Sequence, residues 1–123
     1  MTGPGGILLS IVRVVSRRHT WGMRRIVRYR VKPEHVAENE RLVWAVYEEL
    51  DRDRPPGLRY LTIRESDGVS FIHVAFVDTT DGKNPLTTVA AFKAFQADVK
   101  NRCDIPPAPN DVEVVGSYGF GLR

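Results

Sequence analysis

From Arg24 onward the chain alternates between two rhythms of apolar residues, one of period two and one near 3.6. They follow each other in the order β-α-β-β-α-β through residue 118. The first strand runs from Arg24 to Val31, with Val27, Tyr29 and Val31 on one side and Ile26, Arg28 and Arg30 on the other. Pro33 and Glu34 suit the first turn of a helix, where a missing N–H costs nothing and a carboxylate meets the positive end of the dipole. Val36, Val43, Val46, Tyr47 and Leu50 then fall in one stripe, which predicts an amphipathic helix over 34–51 that Pro55-Pro56-Gly57 ends. Leu58–Arg64 and Val69–Val77 read as two strands joined by a tight turn at Asp67-Gly68. A second helix follows the Asp81–Pro85 loop and carries Val89, Phe92, Phe95, Val99 and Cys103 on one face. Ile105–Pro109 reads as a rigid extended connector, and Asp111–Phe120 as the last strand. This order predicts an α+β fold: a ferredoxin-like, four-stranded antiparallel sheet with both helices on one face.

Sorting each strand by parity separates two faces. One set (Val27, Tyr29, Val31, Leu61, Ile63, Ile72, Val74, Phe76, Val112, Val114) is almost wholly apolar and is expected under the helices. The other mixes aliphatic and aromatic groups with polar ones: Ile26, Arg28, Arg30, Leu58, Tyr60, Thr62, Phe71, His73, Ala75, Glu113, Val115, Ser117. Such a face is too apolar to be left in water, which predicts a homodimer formed through it, with Ile26, Leu58, Phe71 and Val115 at the contact.

Composition narrows the partners. At 123 residues the chain holds one two-layer domain, expected over 23–123, with 1–22 as an N-terminal extension. Arg13, Arg17 and Arg18 are three of the 18 basic groups, so the body from Met23 carries 15 basic against 15 acidic groups and offers nothing to nucleic acid. The apolar run Ile7–Val15 is interrupted by Arg13 and is far shorter than the ~20 residues that cross a bilayer, so no membrane partner is expected. That run reads as an extra strand or short helix docked on the body, as a non-native leader upstream of a natural start at Met23, or, last, as a membrane-surface anchor. A single cysteine, Cys103, fits a reducing, cytoplasmic setting, and with three scattered histidines it builds no metal site. Gly116–Gly121 precedes no helix and so is no phosphate loop, and no serine stands in a nucleophile elbow.

The element order and the phrase Ser70-Phe-Ile-His-Val-Ala75 resemble the dimeric α/β-barrel superfamily, most nearly its antibiotic-biosynthesis-monooxygenase branch, over residues 24–120. The resemblance implies sheets packed face to face around a small hydrophobic or aromatic ligand. It also implies, for some members, oxygenation of aromatic or polyketide-like compounds without any cofactor. Haem cleavage is not implied, because Ala90–Arg102 lacks the histidine that binds iron in the haem-degrading members and Trp44 stands on the first helix. The alternative function is a non-catalytic dimer that binds a metabolite or contributes to an assembly.

Five residues are singled out. His73 is the candidate catalytic group, as a general base toward a phenol or as a ligand-orienting group; its bland reading is a hydrogen-bonded histidine at the dimer interface. Arg28 and Arg30 are candidates for binding an enolate oxygen, or else pair with Glu113 or Glu65 across strands. Tyr60 is a candidate donor to a substrate carbonyl, or an interfacial aromatic. Trp44 either roofs a pocket between helix and sheet or packs in the core. Proximity to Arg28 or Arg30 is expected to lower the His73 pKa.

Overall fold

The computed structural model describes residues 21–121. The expected extension over 1–22 lies outside the described residues, except that Trp21 and Gly22 already belong to the first strand and pair with Thr79 and Asp78. Strand β1 spans Trp21–Val31; a single 3-10 turn, Pro33–His35, leads into helix α1, Val36–Asp53. Strands β2 (Leu58–Arg64) and β3 (Ser70–Thr79) form the hairpin. A 3-10 turn at Pro85–Thr88 precedes α2 (Ala90–Ala97), a break at Asp98, the short α3 (Val99–Arg102) and β4 (Cys103–Asp111). The sheet is antiparallel in the order β2-β3-β1-β4, so the fold class is α+β as expected.

Local chemistry accounts for the joints. Helix α1 ends where Arg54 turns left-handed at φ 46° and its N–H reaches the Leu50 carbonyl, just before Pro55 and Pro56 forbid continuation. The hairpin is tied by the Asp67 carboxylate, which accepts from the Ser70 hydroxyl and from the backbone N–H groups of Val69 and Ser70. Those bonds, led by the hydroxyl, push its pKa down to about 2.

Two expectations need correction. The last strand is Cys103–Asp111, not Asp111–Phe120. Ile105–Pro109 is the edge strand itself, and an edge is where proline's missing N–H is tolerated. Val112 still donates to the Arg24 carbonyl, but the tail beyond it leaves the sheet and exposes Val115, Tyr118 and Phe120, so no sheet face includes Glu113, Val114, Val115 or Ser117.

The second correction concerns the faces. Tyr29 pairs with Phe71 and Val27 with His73, while Thr62 faces His73 and Tyr60 faces Ala75. Phe71, His73, Ala75 and Val77 are buried beneath the helices together with Tyr29 and Val31. The parity of β1 is as expected, but that of β2 and β3 is the reverse. Leu61, Ile63, Ile72, Val74 and Phe76 lie with Ile26, Arg28 and Arg30 on the free face, and Leu58 and Phe71 do not. The core comprises Tyr29, Val31, Val46, Phe71, Ala75, Leu86, Val89, Phe95, Val99 and Cys103, with Phe92 half-buried against it, so the expected stripe of the second helix faces the core.

Candidate functional site

Two layers of polar and aromatic groups meet between α1 and the sheet. The inner layer is a hydrogen-bonded chain. The Arg102 guanidinium, 1% exposed, donates through Nε to Asn39 Oδ1 at 3.1 Å and through Nη2 to the Phe95 carbonyl at 2.9 Å. Asn39, fully buried on α1, donates through Nδ2 to the Tyr29 hydroxyl at 3.0 Å. The Tyr29 hydroxyl lies 2.7 Å from His73 Nε2, and the Tyr60 hydroxyl lies 2.6 Å from His73 Nδ1. The Thr62 hydroxyl stands 3.3 Å from the same Nδ1 and 2.7 Å from the Tyr47 hydroxyl. No buried side-chain nitrogen or oxygen among the described residues lacks a partner, which is what burial of so many polar groups demands.

Burial sets the charge state of this layer. It pushes His73 down to about 4, so the imidazole is neutral at pH 7. It pushes the Tyr29 and Tyr60 phenols up and Tyr47 to about 12, so all three are protonated hydroxyls. Aromatic rings hold the imidazole in place: His73 lies 5.2 Å from Phe95 and 5.3 Å from Tyr29 between ring centroids.

The outer layer is a half-open groove of about 390 Å³ along the edge strand β2 beneath α1. Val43, Trp44 and Phe71 give it apolar walls, Leu61 and Ile63 border it at the β2 edge, and Glu40, Arg64, Tyr47 and Thr62 supply its polar groups. Glu40 and Arg64 satisfy each other at 2.7 Å. Thr62 and Tyr47 belong to both layers, so the groove touches the buried chain through their hydroxyls.

No family model matches the sequence, and no curated protein matches it. In three dimensions the chain is similar to a candidate antibiotic biosynthesis monooxygenase from Caulobacter crescentus, with 16% identity and a TM-score of 0.64 over 80% of this chain and 93% of that one. A second such protein, from Bacteroides thetaiotaomicron, matches at 15% identity and TM-score 0.67, covering 83% and 94%. SnoaB, a cofactor-independent oxygenase from Streptomyces nogalater, matches as a single-residue variant at 16% identity and TM-score 0.60, covering 80% and 98%. This chain has the fold of the antibiotic biosynthesis monooxygenases.

Within that monooxygenase-type fold the five expected residues do not converge. His73 and Tyr60 meet in the interior, and Trp44, 68% exposed, lines the groove rather than packing in the core. Arg28 and Arg30 face away on the free side of the sheet, where Arg28 forks onto Glu65 (2.6 and 3.1 Å) and Arg30 meets Asp104 at 2.9 Å. The lowered His73 pKa therefore comes from burial, not from those guanidiniums. Asn39, Arg102, Tyr29, Thr62 and Tyr47 are site residues that sequence reasoning does not single out. The available signal is their spacing: Asn39 stands one helical turn before Val43 and two before Val46, and Thr62 two residues from Tyr60. Among the described residues no His, Cys, Asp and Glu cluster holds the geometry for a metal, and no helix is long and apolar enough to cross a membrane.

Proposed function

We propose that this protein binds a small aromatic or polyketide-like molecule in the α1–β2 groove and oxygenates it without a cofactor. The observation that carries the reading is the contact between the groove and the buried chain at Thr62, 3.3 Å from His73 Nδ1. An apolar cleft with a few convergent polar groups is the usual form of a small-molecule site. Its similarity in fold to SnoaB supports the same chemistry.

In such chemistry the substrate supplies its own reactivity. An activated CH₂ loses a proton to give a carbanion, which passes an electron to O₂ and then forms a C–O bond to it. Loss of water from the resulting peroxide leaves a carbonyl, so CH₂ and O₂ become C=O and H₂O. The protein's part is to hold the substrate anion, position it and keep water out. Val43, Trp44 and Phe71 wall off the ring system, Leu61 and Ile63 border it at the β2 edge, Thr62 and Tyr47 engage an oxygen, and His73 bears on the ligand through Thr62. A second copy of the chain packed on the free face would cover Leu61 and Ile63, which are 48% and 46% exposed, and close the groove from below.

Dithranol, an air-oxidisable hydroxyanthrone, tests this. The wild type is expected to speed oxygen uptake, with one quinone-type product formed per O₂ consumed. Thr62→Val, which keeps the shape and removes the hydroxyl, should slow it by about 10- to 100-fold. Uptake no faster than in buffer would sink the enzymatic reading. Saturable binding without uptake would leave a metabolite-binding protein.

A further inference from the structure

The buried chain has a direction, and its direction is fixed at the end farthest from the groove. A guanidinium can only donate, so Arg102 Nε–H obliges Asn39 to present its carbonyl oxygen at 3.1 Å. That settles the amide's orientation, and Nδ2 must donate to the Tyr29 oxygen. Tyr29, 2% exposed, already accepts from Asn39, and its own proton has one partner in reach, His73 Nε2 at 2.7 Å. Nε2 must then be the bare nitrogen of a neutral ring, and the ring proton sits on Nδ1. The opposite tautomer would leave the Tyr29 proton buried without an acceptor, and a buried donor with no partner is strongly disfavoured.

The consequence is felt at the groove. Nδ1–H donates to the Tyr60 oxygen at 2.6 Å and has Thr62 Oγ1 at 3.3 Å, so Nδ1 accepts nothing. Tyr60, Thr62 and Tyr47 then carry three hydroxyl protons, and with Thr62 hydrogen-bonded to both tyrosines at most two of the three find an acceptor within the chain. The groove end is left with a donor to spare.

We infer that Arg102 and Asn39 are positioning residues that hold His73 as its Nδ1–H tautomer, so that the groove takes its ligand through an acceptor, a carbonyl or phenolate oxygen. This rests on the groove being the ligand site, and it refines what His73 does there. In the resting protein the ring supports a hydrogen bond that stabilises the bound anion, rather than accepting the proton whose loss creates it.

Asn39→Asp tests the inference with almost no change of shape. The introduced carboxylate still accepts from Arg102, whose charge it neutralises, but it can no longer donate to Tyr29. Every bond beyond that one then reverses: Tyr29 donates to the new carboxylate, His73 Nε2–H donates to Tyr29, and Tyr60 donates to a bare Nδ1. Nitrogen-15 NMR of the full chain distinguishes the two tautomers. We expect Nδ1–H in the wild type, with a slowly exchanging Tyr29 hydroxyl proton correlated to Nε2, and Nε2–H in Asn39→Asp. An Nε2–H wild type overturns the proposal, as does a folded variant that keeps Nδ1–H. If the variant does not fold, the wild-type tautomer and the Tyr29 correlation decide. The ligand arm uses 4-nitrophenol, whose ionised form has its own absorbance. The wild type should favour bound phenolate over phenol by at least about tenfold, a pKa displacement of about one, and Asn39→Asp should lose that preference. Failure of 4-nitrophenol to bind would count against the groove as the site, while the NMR result would still judge the tautomer.

Discussion

Acid should destabilise this protein through one ring. Burial holds His73 at about 4, against an ordinary value of 6.5. The native state therefore binds fewer protons than the unfolded chain between those two values. Stability is intact above about pH 6.5 and is lost as pH falls toward about 4. A gap of that width corresponds to about 3 kcal/mol, a large share of the ~5–15 kcal/mol that holds a typical domain together. Protonating the ring in place would put a charge among Tyr29, Tyr60 and Phe95 and oblige Nε2, which accepts from Tyr29, to donate instead. Carboxylates titrate elsewhere: Asp67, held at about 2 by Ser70 and its neighbours, contributes stability that is lost only below its ordinary 3.8. Urea denaturation at fixed protein concentration, between about pH 7 and pH 4, gives the test when paired with His73→Gln, which keeps a hydrogen-bonding side chain but has no proton to gain. The wild type is the more stable at pH 7, and its advantage should shrink by about 3 kcal/mol on the way to pH 4. Stability curves that stay parallel across this range would show that the ring does not titrate there and that its burial carries no acid sensitivity.

Phe95, 6% exposed, packs against Tyr29, His73 and Phe92 and lies under the Arg102 guanidinium, so Phe95→Ala should cost about 3–5 kcal/mol in urea unfolding; a loss below about 1 kcal/mol would mean that the cluster is loosely packed. Gly57→Ala places a Cβ 2.7 Å from the Asp78 carbonyl oxygen at φ +81°, and should lower the melting temperature by several degrees, equivalent to about 1 kcal/mol or more; an unchanged value would contradict the close approach of that turn to β3. The wild type is expected to scatter light as a dimer, and Ile72→Glu, on the free face, should leave the circular dichroism unchanged and halve that mass; a monomeric wild type, or a mass that does not change, would remove the free face as a site of self-association.

The sequence reveals the frame of this fold more readily than its faces. Helix α1, the hairpin at Asp67-Gly68 and the buried stripe of Val89, Phe95 and Val99 each carry a local signal: a period, a turn residue, a cap. The faces of β2 and β3 carry none, because both are apolar. Ile72, Val74 and Phe76 are as hydrophobic as Phe71, Ala75 and Val77, so alternation alone does not say which set the helices cover. His73 tips such a judgement the wrong way, since a lone polar residue reads as outward-facing. Its two ring nitrogens are instead satisfied from Tyr29 on β1 and Tyr60 on β2, partners that only the strand register brings together. Arg102 is harder still. A cation in a helix-terminal Lys-Asn-Arg run looks solvated, and its burial follows from the break at Asp98, which turns the last helical turn inward onto Asn39. The proline-rich stretch hides β4 for a related reason: composition argues against a strand there, while an edge position permits one.

The claim that ties these observations together is that the groove between α1 and β2 receives the ligand. The most direct measurement is a titration of nitrogen-15-labelled protein with dithranol, followed through backbone amides and the Trp44 indole N–H. Saturable shifts are expected at Val43, Trp44, Tyr47 and Leu61–Arg64, with a smaller response at His73. Shifts confined to Ile72, Val74 and Arg28 on the opposite face, or no saturable shift at all, would contradict it.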